Sequence, residues 1–296
     1  MTIQFEAIDS PYLAPTDGSF RIADAPTRHD EEGGKKYWRK RLRGEVKTIA
    51  ELQRKFYAHD RFSMLLVFQA MDAAGKDSTI RNVLSGVNPA GCDVHSFKRP
   101  SSTELDHDFL WRTTRALPER GRIGVFNRSQ YEEVLVVRVH PGILDNQKLP
   151  HHEDSDAYWS ARMASIADQE KHLARNGTVV LKFFLNVSKE AQRQRFIDRL
   201  DNPSKQWKFE PNDLRERGYW DDYMKAYESA IAATSKPWAP WYAIPADDKP
   251  TMRFLVADIV RRTLEALPIT YPSVDAEDAP EFARLREQLV NEKPNT

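Results

Sequence analysis

Residues 64–79 have the sequence MLLVFQAMDAAGKDST, in which an apolar run gives way to a polar loop. The run at 64–68 is short and uninterrupted, which is typical of a strand buried on both faces of a parallel sheet. A loop containing Gly75 and Lys76 follows the run, and we predict a helix from Thr79 onward. A strand, a glycine-containing loop and a helix in this order are the setting of a P-loop, so this stretch predicts a phosphate-binding site.

The predicted loop carries groups that suit phosphate and a metal ion. Gly75 allows the backbone to approach a phosphate, Lys76 supplies a positive charge, and the helix N-terminus offers free N–H groups. Asp72 would be repelled by phosphates unless it binds a metal or a proton, so we assign it a magnesium-linked or base role. The predicted phosphate contacts are Ala73, Ala74, Gly75, Lys76, Asp77 and Ser78.

The loop departs from the standard P-loop motif in several places. Ala70 stands where the motif has its first glycine, and Asp77 stands where it has the Ser or Thr that holds magnesium. Ser78 comes one residue later than that hydroxyl. A strand and a helix joined by a turn with an incidental Gly-Lys pair therefore remain the competing interpretation of this motif taken alone.

The rest of the chain alternates between short apolar runs and helical patterns. Such alternation indicates βαβ units and an α/β fold with a parallel sheet, whose ligands bind at the carboxyl ends of the strands. We predict strands at 64–68, 93–97, 122–126, 178–185 and 241–244. We predict helices at 44–58, 79–84, 101–117, 155–175, 188–200, 219–233 and 250–267, the third starting with a capping box. The predicted main domain spans 45–268, between an arm at 1–44 that lies on the surface or on a partner and a peripheral tail at 269–296.

A second group of polar residues follows the strand predicted at 122–126. Asn127 occupies the place where P-loop enzymes often carry an acid for the metal, and Glu132 and Glu133 lie one helical turn further on. Arg128 has a forked, permanently charged guanidinium that suits phosphate oxygens. A surface arginine at the start of a helix would give the same pattern, so both interpretations stay open for this segment.

A basic and aromatic segment follows the strand predicted at 178–185. Trp207 and Phe209 anchor it, and its composition fits a lid at about 201–218 that closes over phosphates and excludes water. A solvated charged face is the alternative, as for most charge runs. The cations of this segment and of the helix before it are Arg193, Arg195, Arg199, Lys205, Lys208, Arg215 and Arg217.

Two other basic stretches stand out. Lys98 and Arg99 follow the second predicted strand, where a second anionic substrate would enter. The sequence KKYWRKR at 35–41 fits either contact with a polyanion or the solvated start of a helix.

The composition limits the function classes. The 296 residues contain 44 Lys plus Arg and 44 Asp plus Glu, so a general nucleic-acid coat is not indicated. The single cysteine, Cys92, fits a reducing, cytoplasmic compartment. We expect neither a secretory signal nor a membrane span, because the chain has no suitable apolar run.

Several stretches in the same order resemble the polyphosphate kinase 2 family over roughly residues 45–268. Their order and number make the resemblance specific. They are Met71-Asp72-Ala73-Ala74-Gly75-Lys76, Gly86-Val87-Asn88-Pro89-Ala90-Gly91-Cys92, Phe97-Lys98-Arg99-Pro100-Ser101, Asn127-Arg128-Ser129-Gln130-Tyr131-Glu132-Glu133, Trp207-Lys208-Phe209, 237–241 and 244–249.

The resemblance implies a three-layer P-loop kinase fold like that of thymidylate kinase, with a parallel sheet flanked by helices and a helical lid. It implies transfer of a terminal phosphoryl group between inorganic polyphosphate and AMP, ADP or ATP, with Mg²⁺ or Mn²⁺ as cofactor. It also implies a homo-oligomer, either a dimer or a tetramer. The catalytic residues it implies are Asp72, which is also the metal ligand, Lys76, Arg128 and Glu132.

The same resemblance assigns the remaining candidate residues. Beyond the loop and Arg128, those implied to bind polyphosphate are Arg195, Lys205 and Lys208. Those implied to bind the nucleotide are Asn88, Lys98, Arg99, Pro100 and Asn127.

Two departures from the family pattern fall at the second site. Many members have Asp-Arg-Ser-Trp-Tyr-Asn there, whereas this chain has Asn127 for the Asp and Glu132 for the final Asn. That pattern resembles the subgroup that phosphorylates both AMP and ADP. An ATP-dependent kinase for a nucleotide or small molecule, and a non-catalytic polyanion-binding protein with a degenerate P-loop, are the alternative functions.

Overall fold

The computed structural model describes residues 5–31, 33–273, 275 and 278–292. Its centre is a five-stranded parallel sheet with the order β2-β3-β1-β4-β5. The strands are β1 (Ser63–Gln69), β2 (Cys92–Ser96), β3 (Ile123–Asn127), β4 (Thr178–Asn186) and β5 (Trp241–Pro245). The predicted α/β fold with a parallel sheet is confirmed.

Helices cover both faces of the sheet. On one side α1 packs along α10 with α2 beside them, and on the other α6 packs against α9 and β4. The helices are α1 (Lys35–His59), α2 (Lys76–Val83), α3 (Ser102–Leu105), α4 (Trp111–Thr114), α5 (Val136–Val139), α6 (Asp156–Arg175), α7 (Lys189–Leu200), α8 (Pro211–Glu216), α9 (Trp220–Thr234), α10 (Lys249–Ala266) and α11 (Ala279–Asn291).

β1 lies in the middle of the sheet, between β3 and β4, and every one of its residues is buried. Its uninterrupted apolar sequence follows from this position, because helices exclude water from both of its faces. Phe68 pairs with Asn127 of β3, so the carboxyl ends of the two strands are level with each other. The segments that follow β1 and β3 therefore meet at one edge of the sheet.

The helix predicted at 101–117 is wrong as a single element. The capping box at its start is present, since Ser101 and Glu104 each accept a backbone N–H from the other. The helix then ends at Leu105, and a separate turn, α4, begins at Trp111. Asp108 accepts the N–H of Leu110 with its side chain, a local bond that competes with continuation of the helix.

α1 begins at Lys35 rather than near Gly44. Its first turns follow the helical spacing of two buried side chains, Trp38 and Leu42, which continues to Ile49. Most residues around Trp38 and Leu42 are charged, and this made the helical spacing hard to recognise in the sequence. The segment at 35–41 is therefore the start of a helix with an exposed basic face.

The described part of the N-terminal arm packs against its own chain. Ala14 donates to the Trp241 carbonyl and Ala243 donates to the Tyr12 carbonyl, so the arm adds a short antiparallel bridge to the β5 edge. The buried side chains of the arm include Phe5, Tyr12, Ala14 and Phe20. Residues 1–4 and 32 of the predicted arm lie outside the described residues.

The C-terminal tail contains α11, whose described side chains are exposed along the whole helix. Residues 274, 276, 277 and 293–296 of the predicted tail lie outside the described part of the chain. Across the helices that the structure describes, none is long and apolar enough to cross a membrane.

A buried ion pair joins strand β4 to helix α6. Lys182 of β4 contacts Glu170 of α6, and it also donates to the Tyr131 hydroxyl at 3.1 Å and the Thr234 carbonyl at 2.8 Å. Glu170 accepts the Tyr131 hydroxyl at 2.8 Å. Burial raises the pKa of Glu170 and lowers the pKa of Lys182, because each charge has lost its hydration, while the pairing opposes both shifts.

Removing one partner of this pair should destabilise the fold strongly. The Lys182→Met variant leaves the Glu170 charge buried without a counter-charge, and we expect a loss of about 3–5 kcal/mol in the free energy of unfolding. The double variant Lys182→Met with Glu170→Leu removes both charges and should recover most of that loss. Urea unfolding followed by circular dichroism measures both values. Equal destabilisation by the single and double variants would contradict this account of the pair.

Candidate phosphoryl-transfer site

The loop after β1 has the backbone shape of an anion-binding turn. Gly75 is the N-cap of α2 and has φ 113°, a left-handed conformation that strains any residue with a Cβ atom. A Cβ atom placed there would lie in ordinary contact, 3.4 Å from the Met252 side chain and 3.7 Å from that of Lys249. The predicted need for glycine next to Lys76 is thus supported by the backbone conformation.

Lys76 occupies the centre of this loop. Its Nζ donates to the Ala70 carbonyl at 2.8 Å, so the side chain folds back over the loop. Burial lowers the pKa of Lys76 to about 8, and the nearby Arg128 charge contributes to the shift, while Asp72 and Glu132 oppose it. An arriving phosphate would stabilise the charged ammonium in the same way as these carboxylates.

Arg128 connects the two loops at the carboxyl edge of the sheet. Its Nη2 donates to Asp72 at 2.8 Å and its Nη1 donates to Glu132 at 2.9 Å. Glu132 and Asp72 raise the pKa of Arg128 against the opposing effect of burial, so the guanidinium stays charged. Three predicted catalytic side chains therefore form one bonded group next to Lys76.

The backbone around Arg128 is held in an uncommon conformation. Arg128 has φ 62°, and its N–H donates to the Phe68 carbonyl at the end of β1. The next residue, Ser129, is fully buried and accepts from the Gln69 amide at 3.2 Å. The Tyr131 hydroxyl bonds to Glu170 and Lys182 in the core. The loop is therefore held by hydrogen bonds both at Arg128 and at the residues that follow it.

Asn127 and Asp77 are bonded to each other. The Asn127 amide donates to the Asp77 carboxylate at 2.7 Å and to the Ser96 hydroxyl at 3.4 Å. The two departures from the expected motifs are thus matched, because an amide donates to a carboxylate where two acids would repel. Asp77 also lies in the first turn of α2, where a negative charge is favoured.

Arg195 is buried and braces the P-loop from behind. It donates to the carbonyls of Ala73 and Ala74, and to those of Ala246 and Asp247 after β5. These bonds turn four carbonyl oxygens toward the guanidinium. The arrangement favours a supporting role for Arg195 in shaping the loop over direct contact with a phosphate chain.

The other predicted binding residues lie at opposite ends of the strands. Lys98 and Arg99 are exposed just beyond the carboxyl end of β2, the end of the sheet that also carries the P-loop. Pro100 is half-buried beside them, and Arg112 donates to the Lys98 carbonyl at 2.7 Å. Asn88 precedes β2 and caps the turn at Pro89–Gly91. It therefore lies at the amino ends of the strands, away from the P-loop at their carboxyl ends.

The predicted lid forms a turn at Gln206–Lys208 followed by α8. Lys205 and Lys208 are exposed, and Lys208 lies over the Trp207 ring. Sequence analysis gave no role to Asp213 of α8, yet its pKa is raised by burial and by the nearby charge of Asp72. This proximity indicates that α8 lies across from the P-loop.

A row of cations near Gly75 was also missed as part of the site. Burial lowers the pKa of Lys249 to about 8, with contributions from Arg195, Arg253, Arg199 and Lys205. The pKa of Arg253 is lowered by burial and then by two more cations, Arg81 of α2 and Arg39 of α1. The row consists of Lys249, Arg253, Arg81 and Arg39. It joins residues from α1, α2 and α10, and their separation along the chain concealed it.

Beside the group formed by Asp72, Arg128 and Glu132 lies a small cavity of about 30 Å³. Tyr223 and Tyr227 of α9 line it, together with Glu216 of α8. Glu216 accepts from the Tyr223 hydroxyl at 2.6 Å and lies 2.8 Å from the His140 ring. The segment that contains α8 is thereby attached to the floor of the site.

The donor set fits a hard divalent cation held together with phosphate. One Asp72 oxygen is bonded to Arg128, while the other has no hydrogen-bond or ion-pair partner among the described residues. Magnesium is commonly held by one or two carboxylates plus substrate phosphates, an arrangement in which Asp72 can serve. In the part of the chain that the structure describes, no group of three or more His, Cys, Asp or Glu side chains could hold a metal by itself.

Comparisons with known proteins agree with this geometry. The chain is 54% identical over 257 residues to the ADP-polyphosphate phosphotransferase of Rhodopseudomonas palustris, covering 86% of this chain and 89% of that protein. It is 44% identical over 263 residues to the AMP/ADP-polyphosphate phosphotransferase of Meiothermus ruber, covering 88% and 94%.

A solved structure and a family model extend the match. The crystal structure of polyphosphate kinase 2 from Arthrobacter aurescens TC1 superposes with a TM-score of 0.83 at 36% identity, over 95% of this chain and 99% of that one. The model of the family described as Polyphosphate kinase 2 (PPK2) matches residues 32–271. The chain therefore belongs to the polyphosphate kinase 2 family, as its sequence motifs predicted.

Proposed function

We propose that the protein transfers the terminal phosphoryl group of inorganic polyphosphate to AMP and ADP, forming ADP and ATP, with Mg²⁺ as cofactor. The observation that carries the proposal is the bonded group of Asp72, Arg128 and Glu132 beside Lys76. Phosphoryl transfer requires positioning and charge neutralisation more than covalent catalysis, and this group supplies both.

The reaction we propose is an in-line displacement without a phosphoenzyme. An oxygen of the acceptor's last phosphate forms a bond to the terminal phosphorus of polyphosphate, and the bond from that phosphorus to the bridging oxygen breaks. The leaving chain is one phosphate shorter and keeps the electron pair of the broken bond. The same path in reverse lengthens polyphosphate.

The side chains have separate parts in this step. Lys76 and Arg128 neutralise the negative charge on the transferring group, as paired cations do in other phosphoryl-transfer sites. Asp72 and Glu132 hold the Arg128 guanidinium in place, and the remaining Asp72 oxygen is free for the metal. When bound, magnesium would be held with the help of Asp72 and would supply positive charge that reduces the repulsion between the phosphates.

Use of both AMP and ADP is supported by the residues at the second site. Asn127 and Glu132 follow the pattern of the subgroup that accepts both nucleotides, and the relative from Meiothermus ruber is named for both acceptors. The relative from Rhodopseudomonas palustris is named for ADP. Direct assay of each acceptor separates these two activities.

The row of cations that leads from Lys249 through Arg253 and Arg81 to Arg39 suits a long polyanion. Adjacent cations are costly to hold close together unless an anion neutralises them. The pKa values of Lys249 and Arg253 are lowered in part by these neighbouring charges, which indicates a field that attracts polyphosphate. We propose that the chain extends from the P-loop along this row.

The defining experiment supplies polyphosphate and magnesium to the pure protein with AMP or ADP and without ATP, and follows products by chromatography. Product ADP and ATP from both acceptors is expected. ATP from ADP alone would restrict the acceptor, and no product from either would favour an ATP-dependent kinase or a binding protein.

The same assay tests the site residues. Lys76→Ala and Asp72→Asn should each lower kcat by about 100-fold or more, because each removes a charge that acts on the transferring phosphoryl group or its metal. Lys47→Ala and Asp168→Asn change exposed helical residues of the same type and serve as matched controls. Full activity in either site variant, with the fold intact by circular dichroism, would refute the assigned roles.

The pH dependence should reflect the two perturbed lysines. Lys76 and Lys249 have pKa values lowered to about 8, so both lose their charge as the pH rises through that value in the free enzyme. Since kcat/KM reports ionisations of the free enzyme, kcat/KM for polyphosphate should fall above about pH 8. A Lys249→Arg variant should keep a shallower fall that arises from Lys76 alone. A profile that stays flat to about pH 9.5 would contradict the prediction.

The row of cations predicts a dependence on chain length. Arg253→Ala should raise KM for long-chain polyphosphate by about 10-fold, corresponding to about 1.4 kcal/mol, with little change in KM for the nucleotide. Tripolyphosphate, which is too short to follow the row, should be less affected. Arg175→Ala, an exposed arginine of α6, is the control. An equal effect on both donors would place Arg253 outside the donor path.

A further inference from the structure

Two buried arginines share one buried carboxylate directly after the catalytic group. Arg162 of α6 donates to one oxygen of Glu133 at 3.0 Å, and Arg112 of α4 lies 3.8 Å from the other oxygen. Gln147 donates to the same oxygen as Arg162 at 2.6 Å. The side chains of Glu133 and both arginines are less than a tenth exposed. Buried ion pairs contribute little net stability, so a cluster with two guanidinium groups for one carboxylate calls for another explanation.

The two arginines differ in their second partner. Arg162 donates to the Tyr158 hydroxyl at 2.9 Å, a contact within its own helix. Arg112 donates to the Lys98 carbonyl at 2.7 Å, and its guanidinium lies 5.5 Å from the centre of the Phe97 ring. Arg112 therefore joins the anchored carboxylate to the segment that follows β2, whereas Arg162 joins it to α6.

The segment after β2 lies on the side of the sheet that suits the acceptor. The row of cations proposed for polyphosphate starts at Lys249, just after β5, and β2 is the outer strand on the other side of the sheet. In-line transfer places the attacking and leaving oxygens on opposite sides of the transferring phosphorus. The phosphates of the acceptor therefore meet the exposed cations after β2, which are Lys98 and Arg99.

The bond from Arg112 fixes the backbone that carries both of these cations. The carbonyl it reaches belongs to the peptide group between Lys98 and Arg99, and on the other side the Phe97 N–H donates to the Asn127 carbonyl. Ordering a loop when a ligand binds reduces the affinity, so a loop that is already ordered binds more tightly. A buried arginine with an anchored carboxylate behind it supplies this order.

We propose that Arg112 is a positioning residue for the nucleotide acceptor, anchored on Glu133 and holding the backbone of Lys98 and Arg99 in place for the acceptor's phosphates. The inference deepens the proposed phosphotransferase function and rests on it. Glu133 directly follows Glu132, which bonds to Arg128, so the same anchor ties the acceptor segment to the catalytic group. Arg112 acts through a main-chain carbonyl and does not itself touch the nucleotide.

Direct binding of ADP tests this role without any need for turnover. Isothermal titration calorimetry with ADP and no polyphosphate gives the Kd of each protein. Arg112→Met removes the bond to the Lys98 carbonyl and should raise the Kd for ADP about 10-fold, which corresponds to about 1.4 kcal/mol. In the turnover assay, KM for ADP should rise while kcat and KM for polyphosphate change by less than about two-fold, since only acceptor binding is affected.

Arg162→Met is the matched control, because it also removes a buried guanidinium from Glu133 but leaves the bond to Lys98 intact. Gln147 still holds the oxygen that Arg162 leaves. Thermal unfolding should show a similar fall in Tm for the two methionine variants, and the Kd for ADP of Arg162→Met should stay within about two-fold of the native value.

A conservative variant keeps the test decisive if Arg112→Met does not fold. Arg112→Lys retains a positive charge beside Glu133, but an ammonium lacks the fork that reaches a carboxylate and a carbonyl together. This variant should keep more of the native Tm and still raise the Kd for ADP by about 3-fold or more.

The ADP affinities of the variants decide the proposal. An unchanged Kd in both Arg112 variants, an equal rise in Arg112→Met and Arg162→Met, or a native protein without measurable affinity for ADP would each overturn it. Absence of transfer from polyphosphate by the native protein would refute the proposed function instead, so the two proposals fail separately.

Discussion

Arg128 lies at the junction on which the site depends, because it joins the segment after β3 to the loop after β1. The parallel register of Phe68 with Asn127 brings these segments level, and the guanidinium then bonds to Asp72 from one and Glu132 from the other. Each carboxylate is therefore paired with a positive charge. The site can therefore hold acids and attract anions at once, which a single loop with a lysine could not do.

The rigidity of this junction comes from buried polar groups beneath it. Ser129 and Tyr131 follow Arg128, and each is fully buried with a hydrogen-bond partner from the sheet or from α6. Lys182 stands in the fully buried strand β4, and its charge is balanced by Glu170. Buried pairs of this kind add little net stability, so their physical contribution here is to allow only one arrangement of the loop.

The sequence predicted what depends on neighbouring residues. Each buried strand was found within a few residues, because burial on both faces leaves an apolar run between polar ends. The cap at Ser101 was found because a hydroxyl and the N–H it accepts lie within one turn. The P-loop, the polar segment after β3 and the family resemblance were also predicted from residues close together in the sequence.

The features that the sequence did not predict depend on contacts between distant residues. The salt bridge of Lys182 with Glu170, the bracing of the P-loop by Arg195, and the position of Lys249 beside Gly75 all arise from the packing of separate elements. The same applies to the helix predicted at 101–117, which a side-chain bond of Asp108 interrupts. Local periodicity carries no information on which of several charged residues will meet.

The arm that covers β5 has a consequence for the order in which the chain folds. Leu13 forms its bridge with Tyr242, so the arm must wait for a strand that is synthesised much later in the chain. Contacts so distant along the chain form slowly, and closure of this edge is therefore a late event in folding.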